Sequence, residues 1–504
     1  MARRRPGLRR RLDHLALRVQ GRVDAAWADR VVPWAMAAAL FALLVAIALA
    51  VLRQLDGGPS LAVWGQAAWR VRHGQRAWSS VAGRDPVAST WAFAAWPLLW
   101  ASRWVPTSAL LSVVQALALS LAVVPIWRFA REVGRLRVGT TTLLCAAYAL
   151  APQVHVANLG AFHPEAIAVG AVSWATLFLR RRRWWAYWAC VGLALASRGD
   201  VGFLVAGLGV LAAVQGQRRV GWATAGLGFA WSVAAVVALD PTLAGRTVAA
   251  SVDGSALAPL AAARDLVTRP LDVLGAIADR RTLPELVALF GPLLFLPLTA
   301  PRHLAPAAGP VVLGIAGDAA LRDAAGPTVA AGALGSAPLL LAVVPVVLAA
   351  AVALSRIGRK PLDRVNTDHR LAAALALATL ALFVEAAPTS PYNQPWAWGG
   401  RDAADAAREE ALDGLRRADS ITVSPQMAAM VAEWPAVREG PAAPPPRPGT
   451  WRPGTDAVLL DTNGRDAMGL AIWDDADRTA VVVALRARGY RVVLSAEGII
   501  LLRR

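Results

Sequence analysis

The chain has 504 residues, of which 56% are hydrophobic and only 17% charged, and its mean hydropathy is +0.45. That balance excludes a string of soluble domains and belongs to a polytopic membrane protein. A formal charge of +18 would suggest nucleic acid in a soluble protein, but residues 389–504 hold 14 Arg against 15 acids, so the basic excess lies in the membrane part and no nucleic-acid partner is expected.

Residues 1–32 read as a basic cytoplasmic N-terminus. Pro33 to Leu52 then runs without a charge for about 20 residues, enough to cross a bilayer core of roughly 30 Å. It is an anchor and not a cleaved signal, whose apolar stretch is only ~7–15 residues long and ends at a small-residue cleavage site. Further apolar segments near 107–127, 139–154, 164–180, 185–197, 200–215, 219–239, 284–300, 304–317, 335–355 and 370–387 complete a transmembrane domain over 33–388, with about eleven spans by the length criterion. With the N-terminus inside, the clusters Arg3 to Arg10, Arg128 to Arg137, Arg180 to Arg183, Arg218-Arg219 and Arg356 to Arg370 all fall in the cytoplasm, as the positive-inside rule requires. Thr90 to Trp104, apolar but short and Trp-rich, reads as an interfacial helix within the first outer loop, 54–106. Counting it as a span would put Arg128 to Arg137 outside. Spans of only ~13–17 apolar residues fit segments packed in a bundle beside an aqueous outer cavity. The outer loop 240–283 carries no readable motif. Cys145 and Cys190 fall inside apolar runs and suggest neither a disulfide nor zinc. Trp184, Trp185, Trp188, Trp396 and Trp398 sit at predicted boundaries as an interface belt.

From residue 389 the composition becomes charge-balanced and Pro-punctuated, and the pattern predicts a small extracytoplasmic α/β domain over 389–504. Helices are expected at Arg401 to Arg417, Pro425 to Glu433 and Asp475 to Arg488, strands at Ile421 to Ser424 and Ala457 to Asp461, and a hairpin pairing Arg491 to Ser495 with Ile499 to Leu502. No phosphate-cradling G-x-G-x-x-G or G-x-x-x-x-G-K-[ST] loop occurs there.

Three polar clusters fall on the predicted outer side. The first, after span one, holds Asp56, Gln66, Trp69, His73, Gly74, Arg84 and Asp85; the second is Asn158 to Glu165; the third is Ser197-Arg198-Gly199-Asp200. Ionisable groups at membrane depth are costly and functional by default. Each also has a bland reading: His163 and Glu165 cap a helix behind Pro164, Arg198 and Asp200 form an internal ion pair, Asp56 and Asp85 are solvated loop acids, and His155 is a packing residue. His14, His303 and His369 fall on the cytoplasmic side, away from these clusters. The carboxylates of Asp85, Glu165 and Asp200 are the donors a divalent metal would take, but their spacing matches no metal signature, and the sequence leaves any cofactor open.

At these residues the chain resembles DUF2079, a family of bacterial membrane proteins grouped with GT-C-type glycosyltransferases. Gln66-Ala67-Ala68-Trp69 with His73-Gly74 is similar to the family's QALW…HG stretch; Phe162-His163-Pro164-Glu165 matches its FHPE; Arg198-Gly199-Asp200-Val201 resembles its KEDV. The tail, Arg488 to Val493 with Glu497 to Leu502, is similar to its closing hairpin. The likeness covers residues 50 to 220 and the last 90. Ser60 and Gly65 stand where the family has acids, and Arg84-Asp85-Pro86-Val87-Ala88-Ser89 replaces a GDHFSP-like segment, keeping the acid and losing the histidine.

The resemblance implies a GT-C-like helical fold and transfer of a sugar from a polyprenyl-phosphate donor to an envelope acceptor at the outer face of a bacterial plasma membrane. GT-C enzymes typically use an acid of the first outer loop as general base, which here leaves Asp85 or Asp56. Arg198 and His163 would offset leaving-group phosphate charge, with Glu165, Asp200, Gln66 and Trp69 lining the substrate site. The alternative is a divergent, non-catalytic protein that binds or scaffolds an envelope lipid. An ion-coupled transporter fits less well, because no clear inverted repeat or mid-span charge is visible.

Overall fold

The computed structural model describes residues 24, 26–55, 57–159, 161–238, 254–325, 337–358, 364–365, 367–390, 400–416, 419–445, 447–464 and 471–504. Asp56, Asp240, Trp396 and Trp398 and nearly all of the basic N-terminus lie outside these residues.

Helices dominate. In chain order they are α1 (Ala26–Arg53), α2 (Pro59–Arg72), α3 (Pro86–Thr90), α4 (Trp96–Ala101), α5 (Thr107–Leu121), α6 (Val123–Glu132), α7 (Val138–Ala149), α8 (Pro152–Ala157), α9 (Glu165–Arg180) and α10 (Trp184–Leu195). Then follow α11 (Val201–Val214), α12 (Arg218–Ala238), α13 (Gly254–Thr268), α14 (Pro270–Ala278), α15 (Leu283–Phe290), α16 (Ala305–Ala325), α17 (Ala337–Ile357), α18 (His369–Ala386), α19 (Ala403–Asp413) and α20 (Asp475–Arg486). Among the described residues five stretches are long and apolar enough to cross a membrane: Ala26–Arg53, Thr107–Glu132, Arg218–Ala238, Leu339–Ile357 and His369–Ala386. Shorter apolar helices, α7, α10 and α11 among them, pack beside these. The segment α17 is the hub, with almost every residue from Leu339 to Leu354 buried, so it reads as apolar all round because other helices surround it.

Three sequence expectations change in detail. The segment near 284–300 is not one helix: after α15 it breaks into single turns at Gly291–Leu293 and Leu296–Thr299, because Pro292 and Pro297 remove backbone donors and Leu294 and Phe295 take left-handed conformations. The stretch Thr90 to Trp104, expected as one interfacial helix, holds only the last residue of α3, then a turn at Phe93–Ala95 and α4, interrupted where Trp91 adopts φ +58 and Pro97 opens the next helix. Part of the motif-free loop is helical, as α13 and α14.

The two ends of the bundle are chemically distinct. At one end Arg131 donates to Asp29 at 2.7 Å and to Asp24 at 3.0 Å, Trp127 Nε1 donates to Asp29 at 2.9 Å, Arg364 donates to the Arg131 carbonyl, and Arg181 pairs with Glu132. At the far end of α1, about 42 Å away at 1.5 Å per residue, Gln54 donates to Gly400 and the C-terminal domain begins.

That domain is a five-stranded sheet in the order β2-β1-β3-β5-β4, from β1 (Ile421–Val423), β2 (Val437–Glu439), β3 (Ala457–Asp461), β4 (Arg491–Ala496) and β5 (Ile499–Arg503). The pairs β2-β1 and β1-β3 are parallel; β3-β5 and β5-β4 are antiparallel. The hairpin turns through Glu497 (φ 48) and Gly498 (φ 75), the two positive φ values a tight hairpin needs. The helix expected at Pro425 is a 3-10 segment, Pro425–Val431, and β2, only three residues long, is an addition to the sequence reading. Side chains alternate along β3 and β5. Val458, Leu460, Ile500 and Leu502 pack with Trp473 and α20, whereas Ala457, Leu459, Ile499 and Leu501 join a core shared with α2, α4 and Phe162. One layer of the domain is therefore supplied by the loop after α1.

Candidate functional site

The segment between α8 and α9 is held from three sides. Gln115 of α5, 1% exposed, donates to the carbonyls of Ala157 (2.7 Å) and Ala161 (3.1 Å) and accepts from His163 N (2.6 Å). Ser60 of α2 donates to the Phe162 carbonyl at 2.8 Å, and the Phe162 ring meets Trp64 edge to face at 5.6 Å. Asn158 donates to the Leu44 carbonyl of α1. Pro164 has lost its own N–H and stands at the N-cap, which places Glu165 in the first turn of α9, where a carboxylate complements the helix dipole.

Glu165 therefore points into a buried ion cluster. Its Oε1 lies 2.8 Å from Arg198 Nη1 and 3.1 Å from His163 Nδ1. Arg198, between α10 and α11, also donates through Nε and Nη2 to both oxygens of Asp200 at 2.5 and 2.7 Å. Arg198, Glu165 and Asp200 are each at most 3% exposed, while the His163 side chain keeps 18% exposure. One guanidinium thus faces two carboxylates, and His163 is the member of the cluster that reaches solvent.

The loop carrying Arg198 is fixed by backbone contacts. Gly199 N donates to the Thr90 carbonyl at the end of α3, Ser232 of α12 donates to the Gly199 carbonyl, and Ala94 N donates to the Ala196 carbonyl. The loop after α1 is thereby joined to the cluster. Asp85 starts α3 as its N-cap, with Oδ1 accepting from Val87 N (2.9 Å) and Ala88 N (3.0 Å); it is half-buried. Among the described residues Oδ2 carries no hydrogen bond.

Gln66 and Trp69 of α2 sit elsewhere. The Gln66 side chain is buried and spent inside the protein: Nε2 donates to Ser80 Oγ and the Trp434 carbonyl, and Oε1 accepts from Ser79 Oγ and Ser80 N. It joins the loop after α1 to the C-terminal domain. Trp69 lies against the exposed His73 ring at 4.5 Å between centroids. His155 is buried between the Ala149 carbonyl and Thr389 Oγ1, a packing position. The structure thus brings together His163, Glu165, Arg198 and Asp200, places Asp85 one short helix from them, and sets Gln66 against the C-terminal domain, with Trp69 beside His73. Among the described residues no three His, Cys, Asp or Glu side chains are grouped to hold a metal ion, and Glu165 and Asp200 address Arg198 instead.

The sequence reading missed Gln115 and Ser232, which position the cluster from within spans. A lone glutamine in an apolar run was the available signal, since an amide at that depth asks for a partner.

Among known proteins, the model of a family described as predicted membrane protein (DUF2079) matches residues 57–501. No curated protein matches the chain. Two crystal structures of ArnT from Cupriavidus metallidurans are similar to it. The apo form is 15% identical with a TM-score of 0.46, over 92% of this chain and 97% of that one. The form bound to undecaprenyl phosphate is 12% identical with a TM-score of 0.48, over 95% and 98%.

Proposed function

We infer that this chain, which belongs to the DUF2079 family of predicted membrane proteins, is a transferase that moves a sugar from a polyprenyl-phosphate donor to an envelope acceptor at the outer face of the membrane. The observation that carries the reading is the meeting of His163, Glu165, Arg198 and Asp200 at the end of the bundle where the C-terminal domain sits, on the segments that resemble the family's motifs. Three fully buried charges are a costly arrangement for packing alone, and His163, the partly exposed member, with Arg198 behind it, supplies the groups that a phosphate would meet.

In this reaction the acceptor hydroxyl attacks the anomeric carbon, the sugar–phosphate bond breaks and polyprenyl phosphate departs. Asp85 takes the hydroxyl proton on Oδ2, while its Oδ1 stays on the backbone of α3 and keeps the carboxylate oriented. His163, the exposed edge of the cluster, meets the donor phosphate first, and Arg198 behind it offsets the charge that develops. Asp56 is the other acid of this loop and the alternative base.

One observation favours a second reading, a non-catalytic protein that binds or scaffolds an envelope lipid: all three guanidinium nitrogens of Arg198 are already engaged by carboxylates. The two readings separate in one experiment. The purified protein in bilayers is given a panel of polyprenyl-phosphate sugars, with Asp85→Asn and Asp56→Asn run beside it. Release of polyprenyl phosphate that falls about 10²–10⁴-fold in one acid variant establishes the transfer and identifies the base. Absence of turnover with every donor, in protein that melts like a folded one, leaves the scaffold.

A further inference from the structure

The arginine-rich end of the bundle carries a second candidate site, at the other end of α11 from Arg198 and about 21 Å along that helix. Some arginines of this end are spent on acids: Arg131 on Asp24 and Asp29, and Arg181 on Glu132. Arg180, Arg302 and Arg356 are different. All three are exposed, and among the described residues their side chains meet no carboxylate.

These cations converge on one histidine. Arg180 Nη1 donates to Gln215 Oε1 at 3.4 Å, and Gln215 Nε2 stands 3.3 Å from Nε2 of the half-buried His303. Arg302 precedes His303 in the single turn Pro301–Leu304, and Arg356 Nη1 donates to the Thr299 carbonyl at 3.1 Å just before that turn. Burial and the charges of Arg356 and Arg180 hold His303 below its ordinary pKa, and among the described residues no carboxylate opposes them. As last-turn residues of α9 and α17, Arg180 and Arg356 complement helix dipoles. Dipoles do not account for Arg302 and His303, which end no helix of that length.

Depth narrows the ligand. Leu339–Ile357 is long and apolar enough to cross a membrane, so Arg356 in its last turn stands at the level of the lipid headgroups. Next to the polar groups in the chain, Val214, Phe295, Leu298 and Ile357 expose apolar side chains. Unpaired cations beside exposed apolar surface at headgroup depth match an anionic lipid, with its phosphate on the guanidiniums and its chains along the apolar side chains. A cavity of about 20 Å³ behind His303, walled by Leu211, Val344 and Leu348, has room for one water-sized group, so the lipid lies on the surface and not inside.

We propose that the surface formed by Arg180, Gln215, Arg302, His303 and Arg356, where α9, α11 and α17 end, binds the phosphate headgroup of an anionic phospholipid. The inference does not depend on sugar transfer, whose groups lie at the other end of the molecule.

The test is native mass spectrometry of the full-length protein released from detergent, with phosphatidylglycerol and phosphatidylcholine of the same acyl chains as probes and inorganic phosphate as competitor. Phosphatidylglycerol is expected to bind about tenfold tighter than phosphatidylcholine or better, and inorganic phosphate to leave it bound. The pair Arg302→Gln with Arg356→Gln should weaken phosphatidylglycerol about 30-fold, at about fivefold for each arginine at a charged lipid surface. The pair Arg135→Gln with Arg370→Gln removes the same charge from exposed positions of the same end, outside the site, and should leave binding within about twofold. Asp85→Asn is expected to bind as the parent does, so a protein without turnover can still pass. Equal affinity for the two lipids, equal loss in the two arginine pairs, or displacement by inorganic phosphate would overturn the proposal.

Discussion

Arg198 concentrates the residue-scale question. A buried guanidinium between two carboxylates is stable only as a set, because removing one member leaves an uncompensated charge, whereas removing all of them costs little. Arg198→Ala is therefore expected to destabilise the protein by about 3–5 kcal/mol. The triple variant Arg198→Met, Glu165→Gln, Asp200→Asn should recover most of that loss. Thermal unfolding followed by tryptophan fluorescence in nanodiscs measures both, and a single variant as stable as the parent would mean that the charges are not coupled as their 2.5–2.8 Å separations imply. Such a result would also bear on function, since a cluster that tolerates losing Arg198 has a guanidinium to spare for phosphate. Much of this cluster was legible in sequence: Phe162-His163-Pro164-Glu165 and Arg198-Gly199-Asp200 stand out as charges between apolar runs. Gln115 was not, because its three contacts are to backbone atoms 42 to 48 residues away, and sequence carries no trace of which carbonyl a side chain reaches.

At the scale of elements, α11 and α12 approach each other backbone to backbone. A Cβ on Gly202 would stand 2.2 Å from the Gly228 carbonyl oxygen and 2.4 Å from Ser232 Oγ, so the two backbones touch through glycine. Small residues permit this approach, which replaces the hydrophobic driving force that helices lack in lipid. Ser232 also holds the Gly199 carbonyl, so separating these helices disturbs the Arg198 loop. Gly202→Ala is expected to lose 1–3 kcal/mol or more, as overpacking at a rigid contact does, and to lower any activity with it. Gly226→Ala, on the same helix pair but with open space around its Cβ, should melt like the parent. Equal melting of the two variants would refute the close contact. Element boundaries followed the apolar runs closely for α9 to α12, where the chain is simply apolar between charged ends. They failed near 291–299, where prolines at positions 292 and 297 divide an equally apolar run into turns, and at β2, whose three residues gain strand geometry only by pairing with β1.

The whole molecule has two ends and one composite domain. Docking of the sheet onto α2 was not legible in sequence: the buried face of α2 reads as any amphipathic helix, and the partners of Gly57 and Gln66, Gln426, Ala429 and Trp434, lie more than 350 residues further on. Gly57 shows how tight the joint is, because a Cβ there would meet the Ala429 Cβ at 2.5 Å. With α1 running from the Asp29–Arg131 network at one end to the Gln54–Gly400 contact at the other, a single orientation of α1 fixes which side each end faces. The basic end carries Arg128, Arg131, Arg135, Arg137 and Arg180 to Arg183, and an excess of arginine in short loops marks the cytoplasm. In a background lacking Cys145 and Cys190, Thr450→Cys, on an exposed turn of the domain, should react with a membrane-impermeant maleimide in intact cells. Arg183→Cys, exposed beside the Arg181–Glu132 pair, should react only after the membrane is opened. The reverse pattern would turn the molecule over and place the ion cluster in the cytoplasm, where an outer-leaflet donor could not reach it. Labelling of both cysteines in intact cells would instead break the link between the two ends, and with it the assignment of the cluster to the domain side.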